Sequence, residues 1–223
     1  MDVTMHKHAI VSEDGTRIDF NDISIESLGA HLVFGDIDEE SMKAASTFIL
    51  KANQLFTPQR ELTLFINTNG GYCADGFALI DLMSVSRLPI KTVGMGNVIS
   101  MGVLIACSGT HGMRYMTRNT QVMAHQFSGG THGKFHELMA DFKADLYLKN
   151  LFLQHFLRHT KMEEKQIEDV LFGPSDRWLT PAECKKFGIV DHVVDELPEF
   201  NLEIPARLPP RPRAGKSTPR SRK

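Results

Sequence analysis

Apolar positions along the chain recur at two different spacings. His31 to Gly35 (H-L-V-F-G), Glu61 to Asn67 (E-L-T-L-F-I-N) and Ile90 to Gly94 are short runs rich in β-favouring residues, bounded by turn residues, which predicts buried strands. Between them the period lengthens. Behind Asp38, a helix-capping residue, Met42, Ala45, Phe48, Ile49, Ala52 and Leu55 repeat at helical spacing, and Ala74 to Ser86 places Phe77, Ile80 and Met83 on one inward stripe. The strand, helix, strand alternation predicts an α/β fold with a mostly parallel sheet and helices packed on it. Such sheets carry their chemistry in loops at the carboxyl ends of strands. Gly70-Gly71 and Ser100 both fall at such ends.

The flanks add smaller elements. His8 to Phe20 alternates around Glu13-Asp14-Gly15-Thr16, and Asp-Gly between β-compatible residues predicts an N-terminal hairpin. After Ser100, Met101 to Cys107 reads as a short buried helix, then Arg114 to Met116 and Thr120 to His125 as strands, with Ser128-Gly129-Gly130 as a loop. Gly133 to His159 is one long helical pattern carrying Phe135, Leu138, Phe142, Leu146, Phe152 and Phe156, roughly 40 Å at the α-helical rise. That length exceeds what a small domain covers, so part of it should project and pair with a partner subunit. Met162 to Phe172 reads as another helix. Thr180-Pro181-Ala182-Glu183 has capping-box spacing with proline at the first helical position, and Gly188 closes that helix before a strand at Ile189 to Val194.

Composition narrows the class. At 223 residues and 42% hydrophobic, the chain supports one sizeable core with tails rather than two domains. Met1 to His8 lacks the apolar stretch of a secretory signal, and the uncharged run near Val98 to Cys107 is too short to span a bilayer, so a cytoplasmic protein without membrane contact is expected. Three cysteines without C-x-x-C spacing (Cys73, Cys107, Cys184) argue against a disulfide framework or zinc site. The net charge of −2 hides an asymmetry: seven basic residues and no acidic one follow Pro205, leaving 18 basic against 27 acidic in the body. Five of the ten prolines lie in that tail, which predicts disorder. Short basic ends commonly solubilise, and no nucleic-acid partner is expected.

The candidate chemistry centres on G-M-G-N-V-I-S-M-G. A serine flanked by small residues between a strand and a helix presents its hydroxyl at a tight turn, with exposed N–H groups beside it. Ser100 is that candidate nucleophile. Serine reacts only when a base takes its proton, and His125, at the end of a neighbouring strand, is the candidate base. Cys73 and Cys107 read as core or near-core thiols without a paired base. His132 and His136 stand four apart but lack an H-E-x-x-H glutamate and a third ligand; no metal or other cofactor is expected.

Four blocks, F-I-N-T-N-G-G, G-M-G-N-V-I-S-M-G, V-M-A-H-Q-F-S-G-G and S-D-R-W-L-T-P-A-E-C-K-K-F-G-I-V-D, occur in order with nearly ungapped spacing over about His31 to Val194. Together they resemble the signature blocks of the ClpP family, the proteolytic subunit of Clp protease. The resemblance implies a ClpP/crotonase-like α/β fold with repeated β-α units and a projecting long helix. It divides the chain into an N-terminal hairpin or axial segment (1–30), a serine peptidase domain (31–196) and a tail (197–223). It makes Ser100 the nucleophile, His125 the base and Asp176 the third triad member, although Asp169 and Asp191 lie nearby in sequence and compete for that role. It also assigns the oxyanion donors to the N–H groups of Gly71 and Met101, and implies that substrate lies as an added strand between Gly70-Gly71 and the segment Gln126, Phe127, Ser128 and Gly129.

The same resemblance implies unfolded polypeptides as substrates, two stacked heptameric rings joined through the long helix, and an AAA+ unfoldase partner that feeds the chamber. No G-x-x-x-x-G-K-[ST] occurs, so ATP hydrolysis is not expected of this chain. Two departures flank the site. Thr68-Asn69-Gly70-Gly71 stands where the family has Ser-Pro-Gly-Gly, and His125-Gln126-Phe127 where it has His-Gln-Pro, which removes two fixed φ angles. These departures keep other readings in view: a stand-alone processing protease, as in viral capsid maturation or signal-peptide degradation, an inactive ring subunit, or a crotonase-type acyl-CoA enzyme.

Overall fold

Burial on both faces is what a parallel sheet flanked by helices demands of its central strands, and the computed structural model meets that demand most fully at Leu62–Thr68, buried at all but one position. The structure describes residues 23–57 and 59–197, together with the main chain of three short strands: β1 (Thr4–His6), β2 (Ala9–Val11) and β3 (Arg17–Asp19). β2 pairs antiparallel with β3, Ile10 opposite Ile18. The connecting turn at Glu13 to Thr16 and the basic tail lie outside the described residues.

The main sheet is built from repeated β-α units: β4 (Ala30–Phe34), α1 (Glu39–Leu55), β5 (Leu62–Thr68), α2 (Cys73–Val85), β6 (Ile90–Ile99) and α3 (Met101–Cys107). Asp38 starts α1 as its sequence predicts, accepting the Ser41 N–H at 2.8 Å while the Ser41 hydroxyl reaches back to the Asp38 N–H. Met42, Ala45, Phe48, Ile49 and Ala52 are buried. Leu55, placed on the same stripe by spacing, is instead 76% exposed, because the helix ends there and the extended Phe56 packs against the core in its stead.

Then follow β7 (Arg114–Thr117), β8 (Gln121–Ala124), α4 (Phe135–His159), α5 (Glu164–Val170), β9 (Arg177–Leu179), α6 (Pro181–Phe187) and β10 (His192–Val194). The strand order is β10-β7-β6-β5-β4, all parallel. β6 is the pivot. Its first half pairs with β7, Val93 opposite Tyr115, and its second half pairs with β8, Val98 opposite Val122. β6 therefore continues past Gly94, where the sequence pattern ends, and delivers the chain directly into Ser100. β9, unforeseen in the sequence, adds antiparallel to β8. α5 and β10 are shorter than the apolar pattern implies.

All seven residues of α3 are buried, so the segment after Ser100 is fixed by packing on both sides. Its far end is tied to the sheet by Arg114, itself buried, whose guanidinium donates to Asp191 Oδ1 at 2.6 Å and Oδ2 at 2.9 Å and to the carbonyls of Cys107 and His159. α4 buries only Phe152, Leu153, His155 and Phe156 near its C-terminal end. Its other half extends away with an apolar face in solvent, Phe135 at 79%, Phe142 at 55% and Tyr147 at 66% exposure.

Candidate active site

Among the described residues Ser100 is the one non-glycine with positive φ (φ 57°, ψ −122°). Such backbone costs about 1–3 kcal/mol and persists only where its surroundings over-determine it. Here the Ser100 N–H donates to Met123 O at 2.8 Å, and its carbonyl accepts the Val103 N–H at 2.9 Å. One bond ties the turn to β8 and the other begins α3. The strained residue sits at the helix N-cap yet makes no side-chain capping bond, so its hydroxyl is not spent on its own helix.

Two glycines face it. Gly70 (φ +96°) lies so near that an added Cβ would stand 2.7 Å from Ser100 Cβ. Gly71 (φ +152°) has Ile37 O in the place of a side chain, 2.1 Å from an ideal Cβ. Ile37 bridges Gly71 in parallel, its N–H donating to Gly70 O at 2.9 Å and its carbonyl accepting the Tyr72 N–H at 2.8 Å. A bridge of that form uses the neighbours of Gly71 and turns the Gly71 N–H to the opposite side. Met101 opens α3, whose first internal bond is made by the Val103 N–H, so the Met101 amide is among the unpaired donors of a helix start. These are the two amides that the resemblance assigns as oxyanion donors.

His125 follows β8 directly and lines the same pocket as Ser100, with Val103, Leu104, Phe152, Phe156 and Phe172. Asp176 is positioned by β9. The β8–β9 register sets Val122 opposite Leu179, Met123 opposite Trp178 and Ala124 opposite Arg177, where the ladder ends; His125 is the next residue after β8 and Asp176 the residue before β9. Among the described residues no hydrogen bond or ion pair joins Ser100, His125 and Asp176 in the single chain. Asp191, a sequence competitor for the third position, is committed elsewhere. Burial pushes its carboxyl up, but the hydrogen bonds and charge of Arg114 together with the Gly112 N–H outweigh this and hold it below the usual carboxylate range.

The segment expected to line the substrate divides. Gln126 donates its side-chain amide to Phe172 O at 2.6 Å, so that side chain ties the His125 loop to the one leading into Asp176. Phe127 is half-buried, its ring 5.8 Å from that of Phe152, while Ser128 and Gly129 are exposed. Sequence reasoning missed the apolar wall from Phe152, Phe156 and Phe172, whose spacing reads only as helix core. It also missed a side-chain link between Asn97 and Asn69 beside Gly70. Asparagines next to glycines read as loop residues, and no spacing marks such a bond.

A strained serine at a strand-to-helix turn, with Gly70 packed against it at the carboxyl edge of a parallel sheet, is the arrangement of an α/β serine hydrolase. The family model described as Clp protease matches residues 30–197. The chain is 36% identical over 141 residues to the ATP-dependent Clp protease proteolytic subunit 2 of Thermobifida fusca, covering 63% of this chain and 68% of that one. It is 33% identical over 179 residues to the ATP-dependent Clp protease proteolytic subunit 1 of Frankia casuarinae, covering 80% and 83%. The chain belongs to the Clp protease family, of ClpP type, whose members are serine endopeptidases. No helix of the described residues is long and apolar enough to cross a membrane.

Proposed function

We propose that the chain is the proteolytic subunit of a compartmentalised, ATP-dependent Clp-type protease in the cytoplasm, cleaving unfolded polypeptides into short peptides. The observation that carries this reading is the Ser100 turn: a nucleophile-bearing residue held at φ 57° with Gly70 packed against it. In the reaction His125 takes the Ser100 proton as the oxygen attacks a peptide carbonyl, then gives it to the leaving amine. Asp176 holds the imidazole tautomer and stabilises its charged form. The Gly71 and Met101 N–H groups receive the developing oxyanion. Substrate lies extended between Gly70-Gly71 and residues 126–129, where main-chain pairing gives little sequence preference.

The exposed apolar half of α4 supports assembly into two stacked heptameric rings fed by an AAA+ unfoldase, since so large a bare face on a lone subunit favours association. A second reading, an inactive ring subunit, is favoured by the absence of bonds among Ser100, His125 and Asp176. Fluorophosphonate labelling and solution mass on one sample decide between them. Labelling at Ser100, lost in Ser100→Ala and suppressed in His125→Ala and Asp176→Ala, is the expected result. An assembled ring that takes no label identifies the structural subunit, and a labelled monomer a stand-alone protease.

A further inference from the structure

Between Ile66 and Thr68 the register of β5 against β6 slips: two steps along β5, from Ile66 to Thr68, match four along β6, from Gly94 to Val98. A bulge of this kind strands the backbone amides of the longer strand. Asn67 supplies the missing acceptor. Its Oδ1 takes the Asn97 N–H at 2.9 Å and fills the space where a Gly96 side chain would stand, 2.6 Å from an ideal Cβ. Asn97 then passes the link on, donating its Nδ2 to Asn69 Oδ1 at 2.9 Å. Asn69 immediately precedes Gly70 and Gly71. On the other side of the turn, Asn97 stands three residues before Ser100 on the same strand.

We propose that Asn97 is a positioning residue for the hydrolytic reaction, clamping the Gly70-Gly71 segment to the strand that carries Ser100 through the Asn67–Asn97–Asn69 chain of hydrogen bonds. The proposal rests on the serine peptidase reading above and adds to it a residue that touches neither substrate nor the reacting atoms. An amide aimed at a developing oxyanion is effective only within a few tenths of an ångström of its place. The Gly70-Gly71 loop has no proline to fix its φ angles. It is held from within by the Gly70 N–H donating to Thr68 Oγ1 at 3.0 Å, and from outside by Ile37 and Asn97. Of these, the Asn97–Asn69 bond is the one joining the loop to the nucleophile's own strand through side chains alone.

Asn97→Ala removes that side chain but leaves the Asn97 N–H bond to Asn67 in place, and Asn69→Ala removes the same bond from its exposed end. Each is expected to lower kcat on a peptide substrate by about ten-fold with KM little changed, less than the about 10²–10³-fold cost of deleting an oxyanion donor outright. Affinity for a peptide boronate, which presents a tetrahedral adduct to the same amides, is expected to fall in parallel. The double variant should lose no more than either single one, because one bond is being removed. Asn97→Asp should recover most of the rate, since the Asn69 amide can turn to donate to the new carboxylate.

Native kcat and boronate affinity in both alanine variants, or additive losses in the double variant, overturn the proposal while leaving the peptidase reading intact. A native protein that neither labels with fluorophosphonate nor cleaves peptide overturns both. Should Asn97→Ala lose its thermal transition, Asn69→Ala reads the same bond from a surface position, and its kcat decides the matter.

Discussion

Gly70 and Ser100 touch through the absence of a side chain: a Cβ on Gly70 would lie 2.7 Å from the Ser100 Cβ and 3.2 Å from its Oγ. The glycine also sits at φ +96°, where other residues are strained. Gly70→Ala is therefore expected to displace the hydroxyl or the oxyanion loop, lowering the fluorophosphonate labelling rate by about 10²-fold or more. The melting temperature should fall only by the equivalent of about 1–3 kcal/mol of strain. Labelling and thermal unfolding on the same protein separate the two effects, and an unchanged labelling rate would contradict the proximity.

Gln126 is the second point where site geometry depends on one bond. Its amide donor on Phe172 O joins the segment after His125 to the one before Asp176. Gln126→Ala leaves that carbonyl without its partner, at a cost of about 1–3 kcal/mol, and is expected to lower kcat/KM more than stability. Gln126→Glu puts a carboxylate against a carbonyl at neutral pH and restores a donor once protonated. The ratio of its rate to the native rate should thus rise as pH falls from 7 toward 5, and a pH–rate profile with a flat ratio would count against the clamp.

Arg114 and Asp191 hold the opposite end of the sheet. Arg114 is buried and donates to Asp191 through both Nε and a terminal nitrogen, while also reaching the carbonyls that end α3 and α4. Removing the partner of a buried, hydrogen-bonded charge costs about 3–5 kcal/mol. Asp191→Asn is expected to reach the lower part of that range and Arg114→Met the upper, both measured as a shift in denaturant midpoint. Arg114→Lys should not rescue, because a point ammonium cannot span both carboxylate oxygens and both carbonyls.

His155 and His159 give the acid side of the stability curve. Burial, then His159, lowers the His155 pKa to about 3, and burial, then His111 and Arg114, lowers that of His159 to about 4, from an ordinary 6.5. Both bases stay neutral in the fold but accept protons once unfolded. The unfolded chain therefore binds more protons below pH 6.5, and stability falls with pH from there toward about 4 and 3. Asp191, held below the carboxylate range, adds a stabilisation that is complete above the ordinary carboxylate pKa of 3.8 and is lost as pH falls below it. His155→Gln, which keeps a donor for Leu104 O, should flatten the slope of urea midpoints between pH 6.5 and 4; an unaltered slope would place the acid sensitivity elsewhere.

The alternation of strands and helices was legible because it is a burial pattern: Asp38 marks a start, and Met42 to Ala52 mark a face. What escaped was structure held by side chains or by neighbours. β6 runs on from Gly94 to Ile99 because Asn67 replaces a backbone partner at the bulge, and no periodicity records that. β9 is three residues long with Arg177 and Trp178 exposed, so it has no alternation to read until β8 is beside it. In the site, Ser100 and the glycine pair announce themselves through small residues at a turn. His125 is legible as a strand-end histidine, but that Asp176 leads into the strand paired with β8 emerges only from the β8–β9 register, and the asparagine chain depends on three residues that each look like ordinary loop chemistry.

The three cysteines offer a clock. Burial pushes the thiols of Cys107 and Cys184 up to about 12, whereas Cys73 is only half-buried. An alkylating reagent at neutral pH should therefore modify Cys73 first and stall. The second and third equivalents are taken up only when the packing around α3 and α6 opens, so the lag between the first adduct and the last times native-state breathing beneath the nucleophile without any substrate being turned over.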